Sequence, residues 1–300
     1  MESAAIALVL VSSAMHAGWN ALGKGRVPTA AFFLVASLGG LVLLVAVPIL
    51  YPRVVAGAGR IDIALVCAAG LFEAIYMGSL ARGYRAGDLS IVYPLARAVP
   101  AITVAFGSVL LGRSEAIPAG CWAGSILIVA GCILLPKTRL GNFRLRDYAN
   151  KPFLYAMLAA VGTTGYSLVD DTALGRLRFV HADLHPAPVT LVYSFFQVLM
   201  TAVWLAVLVF PRREGRRSFR GAIGEWRSAL VTGALMTLTY AIVLIALAFA
   251  KDVSYVVAFR QASIPIGVLI GVVWFKEAMP LPKLLGTVIL LIGLVLVSLS

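Results

Sequence analysis

Residues 88–100, Asp-Leu-Ser-Ile-Val-Tyr-Pro-Leu-Ala-Arg-Ala-Val-Pro, place Arg97 inside an apolar segment and bracket it with Pro94 and Pro100. In a lipid bilayer an arginine at that depth costs about 2.5–3.5 kcal/mol even on insertion scales. Each proline removes one helical hydrogen bond and bends the helix. A segment that tolerates both is shaping a polar interior, so Pro94 and Pro100 are expected as bends or hinges.

Outward from this stretch the chain is apolar almost throughout. Of its 300 residues, 61% are hydrophobic and 13% charged, with a mean hydropathy of +0.97. Soluble domains are roughly 45–50% apolar and about 25% charged. The expected solvent is therefore lipid, and the expected fold class is an all-α integral membrane protein. Ten apolar segments fit spans, at 3–22, 29–50, 62–81, 88–111, 117–136, 152–172, 187–210, 228–249, 253–274 and 280–299. Continuous runs of ~20 residues exclude a β-barrel, whose strands are short and alternating. Residues 1–22 lack a basic leader and a cleavage site, and read as an uncleaved first helix. Cys67, Cys121 and Cys132 sit in apolar runs without ligand spacing, as packed thiols do.

The net charge of +12 does not imply nucleic acid, because no soluble module is present to bind it. The basic residues cluster in short loops instead. Loops after spans 1, 3, 5, 7 and 9 hold 17 of the lysines and arginines, against 6 in the others. The lysine/arginine bias expects the first set in the cytoplasm of an inner-membrane protein, with both termini outside.

The chain repeats itself. Glu115, Pro118, Gly124 and Gly131 recur as Glu277, Pro280, Gly286 and Gly293, each 162 residues on. Tyr76, Asp88, Ser90 and Ala98 recur as Tyr240, Asp252, Ser254 and Ala262, each 164 on, which sets Arg97 against Gln261. Gly18-Trp19-Asn20 matches Gly165-Tyr166-Ser167 at a shift of 147. Residues 1–140 and 150–300 are thus expected as two five-helix repeats. Five is odd, so the second copy enters the membrane inverted, as in secondary transporters whose substrate site lies between the halves. The glycine pairs read as packing seams.

His16-Ala17-Gly18-Trp19-Asn20, Tyr93-Pro94-Leu95-Ala96-Arg97 with Pro100, and a glutamate turn before two glycines seven apart in each repeat carry a resemblance. With these features the chain resembles the ten-helix, EamA-type members of the drug/metabolite transporter superfamily over nearly its whole length. The resemblance implies movement of amino acids, other metabolites, cationic drugs or phosphonates, often outward. It also implies cytoplasmic termini, against the charge count. One departure is Leu111-Gly112-Arg113-Ser114-Glu115, where the family usually carries Leu-Gly-Glu.

Candidate site residues follow from depth and spacing. Glu73 and Arg97 both lie about 13–14 Å from one membrane face at 1.5 Å per residue, so they are expected to pair. Tyr76 shares a face with Glu73, and Tyr93 with Arg97. His16, Trp19 and Asn20 share a face of span 1, and Tyr166 and Asp170 one of span 6. Tyr240, Arg260 and Gln261 are their counterparts, with Pro265 as a further bend. Asp171 is expected to be solvated near a span end, and Tyr255 to sit in an interfacial belt or in the site. Together these residues predict a cavity with aromatic walls and a few polar groups.

The function expected is secondary transport by alternating access, exporting a small amphipathic metabolite such as an aromatic amino acid. No cofactor or metal is expected, a monomer suffices, and Glu73 is a candidate proton carrier. No Gly-rich nucleotide loop is present, which disfavours ATP-driven pumping. A lipid-modifying membrane enzyme is the competing class, but no catalytic cluster or nucleophile elbow is found for it.

Overall fold

Apolar runs in lipid must satisfy every backbone group internally, and a helix does so within one segment. The computed structural model describes residues 2–22, 28–86, 89–113, 115, 117–135, 137 and 151–300, without the side chains of 19–22, 84 and 89–95. Its elements are α1 (Ser3–Leu22), α2 (Ala30–Leu44), α3 (Ala46–Leu50), α4 (Pro52–Ala56), α5 (Arg60–Ala86), α6 (Leu89–Leu110) and α7 (Ala119–Leu134). They continue as α8 (Lys151–Val180), α9 (Pro186–Val209), α10 (Arg213–Gly224), α11 (Trp226–Ala246), α12 (Val253–Phe259), α13 (Ser263–Val273) and α14 (Leu281–Leu299). No strand occurs among the described residues.

Seven helical segments are long and apolar enough to cross a membrane: Ala30–Leu50, Arg60–Gly83, Lys151–Val180, Pro186–Val209, Trp226–Phe249, Val253–Val273 and Leu281–Leu299. Three shorter apolar stretches accompany them, at Ser3–Gly18, Ala96–Leu110 and Ala119–Leu134. The chain is consistent with a multi-pass membrane protein. Its surface agrees: Ile49, Leu110, Phe179 and Trp274 are 72–86% exposed. Its interior is lined by small residues, among them Ala69, Ala74, Ala101, Ala156 and Ala173, all fully buried. Large side chains outward and small ones inward let helix backbones approach closely in lipid.

The expected glycine seams are close backbone approaches. A Cβ at Gly124 would lie 2.6 Å from the Gly293 carbonyl oxygen, and one at Gly131 would lie 2.5 Å from that of Gly286. Contact 124 with 293 and 131 with 286 makes α7 and α14 antiparallel. Gly39 meets the Leu230 backbone and Gly233 that of Ala36, joining α2 to α11. Gly70 meets Met200, joining α5 to α9, and Gly162 meets Phe72, joining α5 to α8. In addition α1 packs on α11 and α13, and α6 on α7, α8 and α12.

Two helices run past their expected ends. α5 spans Arg60–Ala86, and α8 continues to Val180 where a span was expected to end at 172. The extra turns carry arginines, and those of α8 find partners. Arg176 Nε lies 3.2 Å from Asp62, and Arg178 donates to the Leu244 carbonyl at 2.7 Å and to Thr190 at 2.8 Å. Tyr255 is fully buried in the core, so the belt expectation fails for it. The stretch after α9 was expected as a loop and instead forms α10.

Replacing Gly131 by Leu drives a side chain into the α14 backbone. A loss of about 1–3 kcal/mol is expected, the usual cost of overpacking, read as a lower unfolding midpoint in detergent. Gly267→Ala is the control, since nothing lies within 4 Å of its Cβ position.

Candidate functional site

The segment Val253–Val273 is not one helix. It tightens to a 3₁₀ turn at Arg260–Ala262 before resuming as α13. Pro265 follows by three residues and has no N–H for the carbonyl four positions back. The Arg260 carbonyl accepts the Ser263 backbone amide and takes side-chain donors as well. Ser263 Oγ donates to it at 3.0 Å, Ser13 Oγ at 3.4 Å and Arg97 Nη2 at 3.4 Å. Pro265 thus sits at a break, whereas α6 continues as helix through Pro94 and Pro100.

Arg97 projects from α6 and is only 9% exposed. Its Nη2 also donates to Ser263 Oγ at 2.7 Å, and its Nη1 lies 3.0 Å from His16 Nε2. A guanidinium only donates, so that His16 nitrogen is the acceptor and the imidazole proton belongs on Nδ1. The expected Glu73–Arg97 ion pair is not formed among the described residues. Glu73 accepts instead from Thr201 Oγ1 at 3.1 Å, because the Gly70 seam brings α9 directly against α5.

Asp170 was expected near a span end and is fully buried, because α8 extends beyond it. Tyr193 Oη donates to it at 2.6 Å, Tyr240 Oη at 2.5 Å and Gln197 Nε2 at 3.1 Å. Tyr193, Gln197 and Thr201 stand four residues apart and form one polar stripe on α9. That stripe holds both acids, and sequence reasoning overlooked it. The signal was legible as three hydrogen-bonding side chains at i, i+4 and i+8 in an otherwise apolar run.

In front of the acids lies a layer of tyrosines. Tyr166 packs edge-on against Tyr76 at 6.0 Å between centroids and against Tyr240 at 5.5 Å. The Arg260 guanidinium lies over the Tyr240 ring at 5.1 Å. Tyr76, Arg97, Thr163, Tyr166, Arg260 and Gln261 line a cavity with about 10 Å³ of room, near the size of one water. Thr163 Oγ1 and Gln261 Oε1 are buried there without a hydrogen-bond partner among the described residues. Orphaned buried polar atoms are rare and call for an occupant.

The predicted residues thus converge, with limits. Tyr76, Arg97, Tyr166, Arg260 and Gln261 meet around the cavity, His16 bonds Arg97 from outside the lining, and Asp170, Glu73 and Tyr240 stand beside or behind the aromatic wall. The side chains of Trp19, Asn20, Tyr93 and Pro94 lie outside the described residues. Sequence reasoning also missed Ser13, Ser263 and Thr163, whose small hydroxyls give no signal among other small residues.

One end of the cluster carries a second set of charges. Arg113 pairs with Asp171 and lies 4.0 Å from Asp252. Ser108 Oγ donates to both Asp252 oxygens, at 2.9 and 3.0 Å. Asp252 also caps α12 through the Ser254 amide at 2.8 Å. Asp171, expected to be merely solvated, is therefore held in an ion pair. This lattice ties the end of α6 to α8 and α12.

No family model and no curated protein matches the chain. Among 26 solved chains that match, one described as a "Crystal structure of protein" is 18% identical at a TM-score of 0.66. It covers 100% of this chain and 99% of its own length, so the whole fold is shared.

Tyr193→Phe and Tyr240→Phe each remove one hydroxyl from Asp170. Each is expected to cost about 1.5–3 kcal/mol, as hydrogen bonds to charged groups do. The double variant should depart from additivity, because both act on one carboxylate. Unfolding midpoints of the three variants in detergent check this.

Proposed function

We propose that the chain is a secondary transporter, built as ten spans in two inverted repeats and working by alternating access. The observation that carries this is the cavity itself. Arg97, Arg260 and the two orphaned polar atoms of Thr163 and Gln261 surround it at a broken helix. Broken helices at the interface of two halves are where transporters hold substrate.

Packing supports the two-fold plan. Exchanging residues 1–140 with 150–300 carries the α7–α14, α2–α9 and α6–α12 contacts into themselves. The same exchange carries the α5–α8 contact into α11–α1, and α5–α9 into α11–α2. Arg97 reaches Ser263, and Ser108 reaches Asp252, so α6 and α12–α13 run antiparallel. Repeat-equivalent helices that lie antiparallel are what inversion requires.

The substrate proposed is a small amphipathic metabolite, best matched by an aromatic α-amino acid moving outward across the inner membrane. Glu73 bonds Thr201 and not Arg97, and a guanidinium that lines the cavity is a fitting partner for a carboxylate. The tyrosine faces suit an aromatic side chain or an ammonium, as Arg260 on Tyr240 already illustrates. Asp170 holds the Tyr240 hydroxyl and so fixes the direction of that ring. Room for one water does not hold an amino acid, so binding needs α6 and α12–α13 to part. The Arg113–Asp171–Asp252 lattice bridges these same elements and acts as the latch on that face.

Labelled amino acids in counterflow across proteoliposomes test the proposal. Arg97→Ala should abolish flux. Arg97→Lys should lose at least about tenfold, since a lysine cannot present the planar fork of arginine. Normal flux from both variants, or none from the parent chain with any amino acid, would sink the reading. Lipid turnover without flux would favour the enzyme class.

A second test addresses the latch. In a background without Cys67, Cys121 and Cys132, Arg113→Cys with Asp171→Cys should transport until a short thiol cross-linker joins them. Reversal of the cross-link should restore flux. Unimpaired flux after complete cross-linking would remove the latch from the cycle.

A further inference from the structure

Helix α10 lies on the face of the molecule opposite the ion lattice, between α9 and α11, and transport as proposed does not use it. Its sequence, Arg-Glu-Gly-Arg-Arg-Ser-Phe-Arg-Gly-Ala-Ile-Gly, divides into two faces. Gly215, Ser218, Phe219 and Ala222 follow i, i+3, i+4, i+7 spacing and face the protein. Gly215 sits against the Val209 backbone, Ser218 Oγ donates to Thr29 at 3.2 Å, and Phe219 packs edge-on against Phe210 at 5.0 Å. Ala222 is buried. The helix is therefore anchored and its other face is held outward.

That outer face is basic. Arg213, Arg217 and Arg220 lie at i, i+4, i+7 and are all exposed. Among the described residues none of the three meets a carboxylate. Their neighbours are otherwise engaged: Arg216 donates to the Pro211 carbonyl at 3.2 Å and closes the end of α9, while Glu214 lies 3.5 Å from Arg85. Beside the helix runs a groove of about 960 Å³. Phe32, Ala222 and Trp226 give it an apolar wall, and Ser218, Glu225 and Arg227 a polar one. Ile223 and Trp226 are 47% and 50% exposed next to the arginines.

We infer that the α10 arginine stripe and this groove form a binding site for an anionic phospholipid of the surrounding leaflet. Three uncompensated guanidiniums complement a phosphate-bearing headgroup. The apolar wall of the groove and the exposed Ile223 and Trp226 offer surface for acyl chains beside the arginine face. A solvated arginine face would need neither the groove nor the apolar residues beside it. An amphipathic helix with clustered arginines next to a span is the form such recognition takes.

The test uses the full chain, purified in detergent and stripped of lipid, then given phosphatidylglycerol or phosphatidylcholine in mixed micelles. Lipid retained is read by native mass spectrometry, and stability by the unfolding midpoint. Phosphatidylglycerol should bind and raise the midpoint, and phosphatidylcholine should not. Each neutralised arginine should weaken binding about fivefold, so Arg213→Gln/Arg217→Gln/Arg220→Gln should lose about a hundredfold. The corresponding triple lysine variant should keep most of the binding.

Equal retention of the two lipids would overturn the site, as would unchanged phosphatidylglycerol affinity in the glutamine variant. Free glycerol phosphate that raises the midpoint equally would assign the stripe to a soluble anion instead. Should the glutamine variant not fold, high salt on the parent chain decides: the preference for phosphatidylglycerol must collapse, and its persistence would count against the arginines.

Discussion

A single backbone carbonyl organises the interior. Where the helix tightens at Arg260–Ala262, the Arg260 oxygen is offered to side chains at a depth where water is scarce. Ser13 from α1, Arg97 from α6 and Ser263 from α13 all turn to it. Those donors set which way Arg97 points, and Arg97 in turn sets His16. The carbonyl, which also accepts the Ser263 backbone amide, adds an acceptor for the arginine and lessens the cost of burying it. The aromatic wall and the acids behind it are arranged around the space these groups define.

On the two-repeat plan proposed above, the scaffold beneath this is nearly symmetric and the chemistry on it is not. Glycine seams are backbone against backbone, so they carry the same contact in either half; Gly124 on Gly293 and Gly131 on Gly286 are reciprocal. Side chains break the equivalence. Arg97 corresponds to Gln261, and Glu73 has Thr237 at the 164-residue shift. Tyr76 and Tyr240 remain alike and flank Tyr166 from two sides. The cavity therefore meets Arg97 from α6 and Arg260 from the 3₁₀ turn, with Gln261 and the tyrosine rings between them.

Much of the frame was legible because lipid imposes it. Continuous apolar runs mark helices, and glycines seven apart mark the seam of α7 with α14 without any knowledge of tertiary contacts. Arg97, Tyr76, Tyr166, Arg260 and Gln261 converge because charged and aromatic residues in such runs are rare enough to count. Partners were harder to read. Depth alone made Glu73 and Arg97 equals, yet depth says nothing about rotation around the helix axis. The Gly70 contact with α9 turns Glu73 toward Thr201. Span ends also misled: a helix can outlast its apolar run when Arg176 and Arg178 find Asp62 and the Leu244 carbonyl. That extension is what brought Asp170 inside.

In the proposed transport cycle, the lattice of Arg113, Asp171 and Asp252 determines what the surfaces become once parted. Asp252 is shielded from solvent while Arg113 is partly reached by it. An interface closed by aliphatic side chains would expose oily patches on opening and invite lipid tails or unfolding. An interface closed by ions exposes groups that water solvates at once. Each half is then wettable on its own, and hydration of the separated charges offsets the loss of their attraction. Such a seal can open and reclose many times without leaving a sticky state behind.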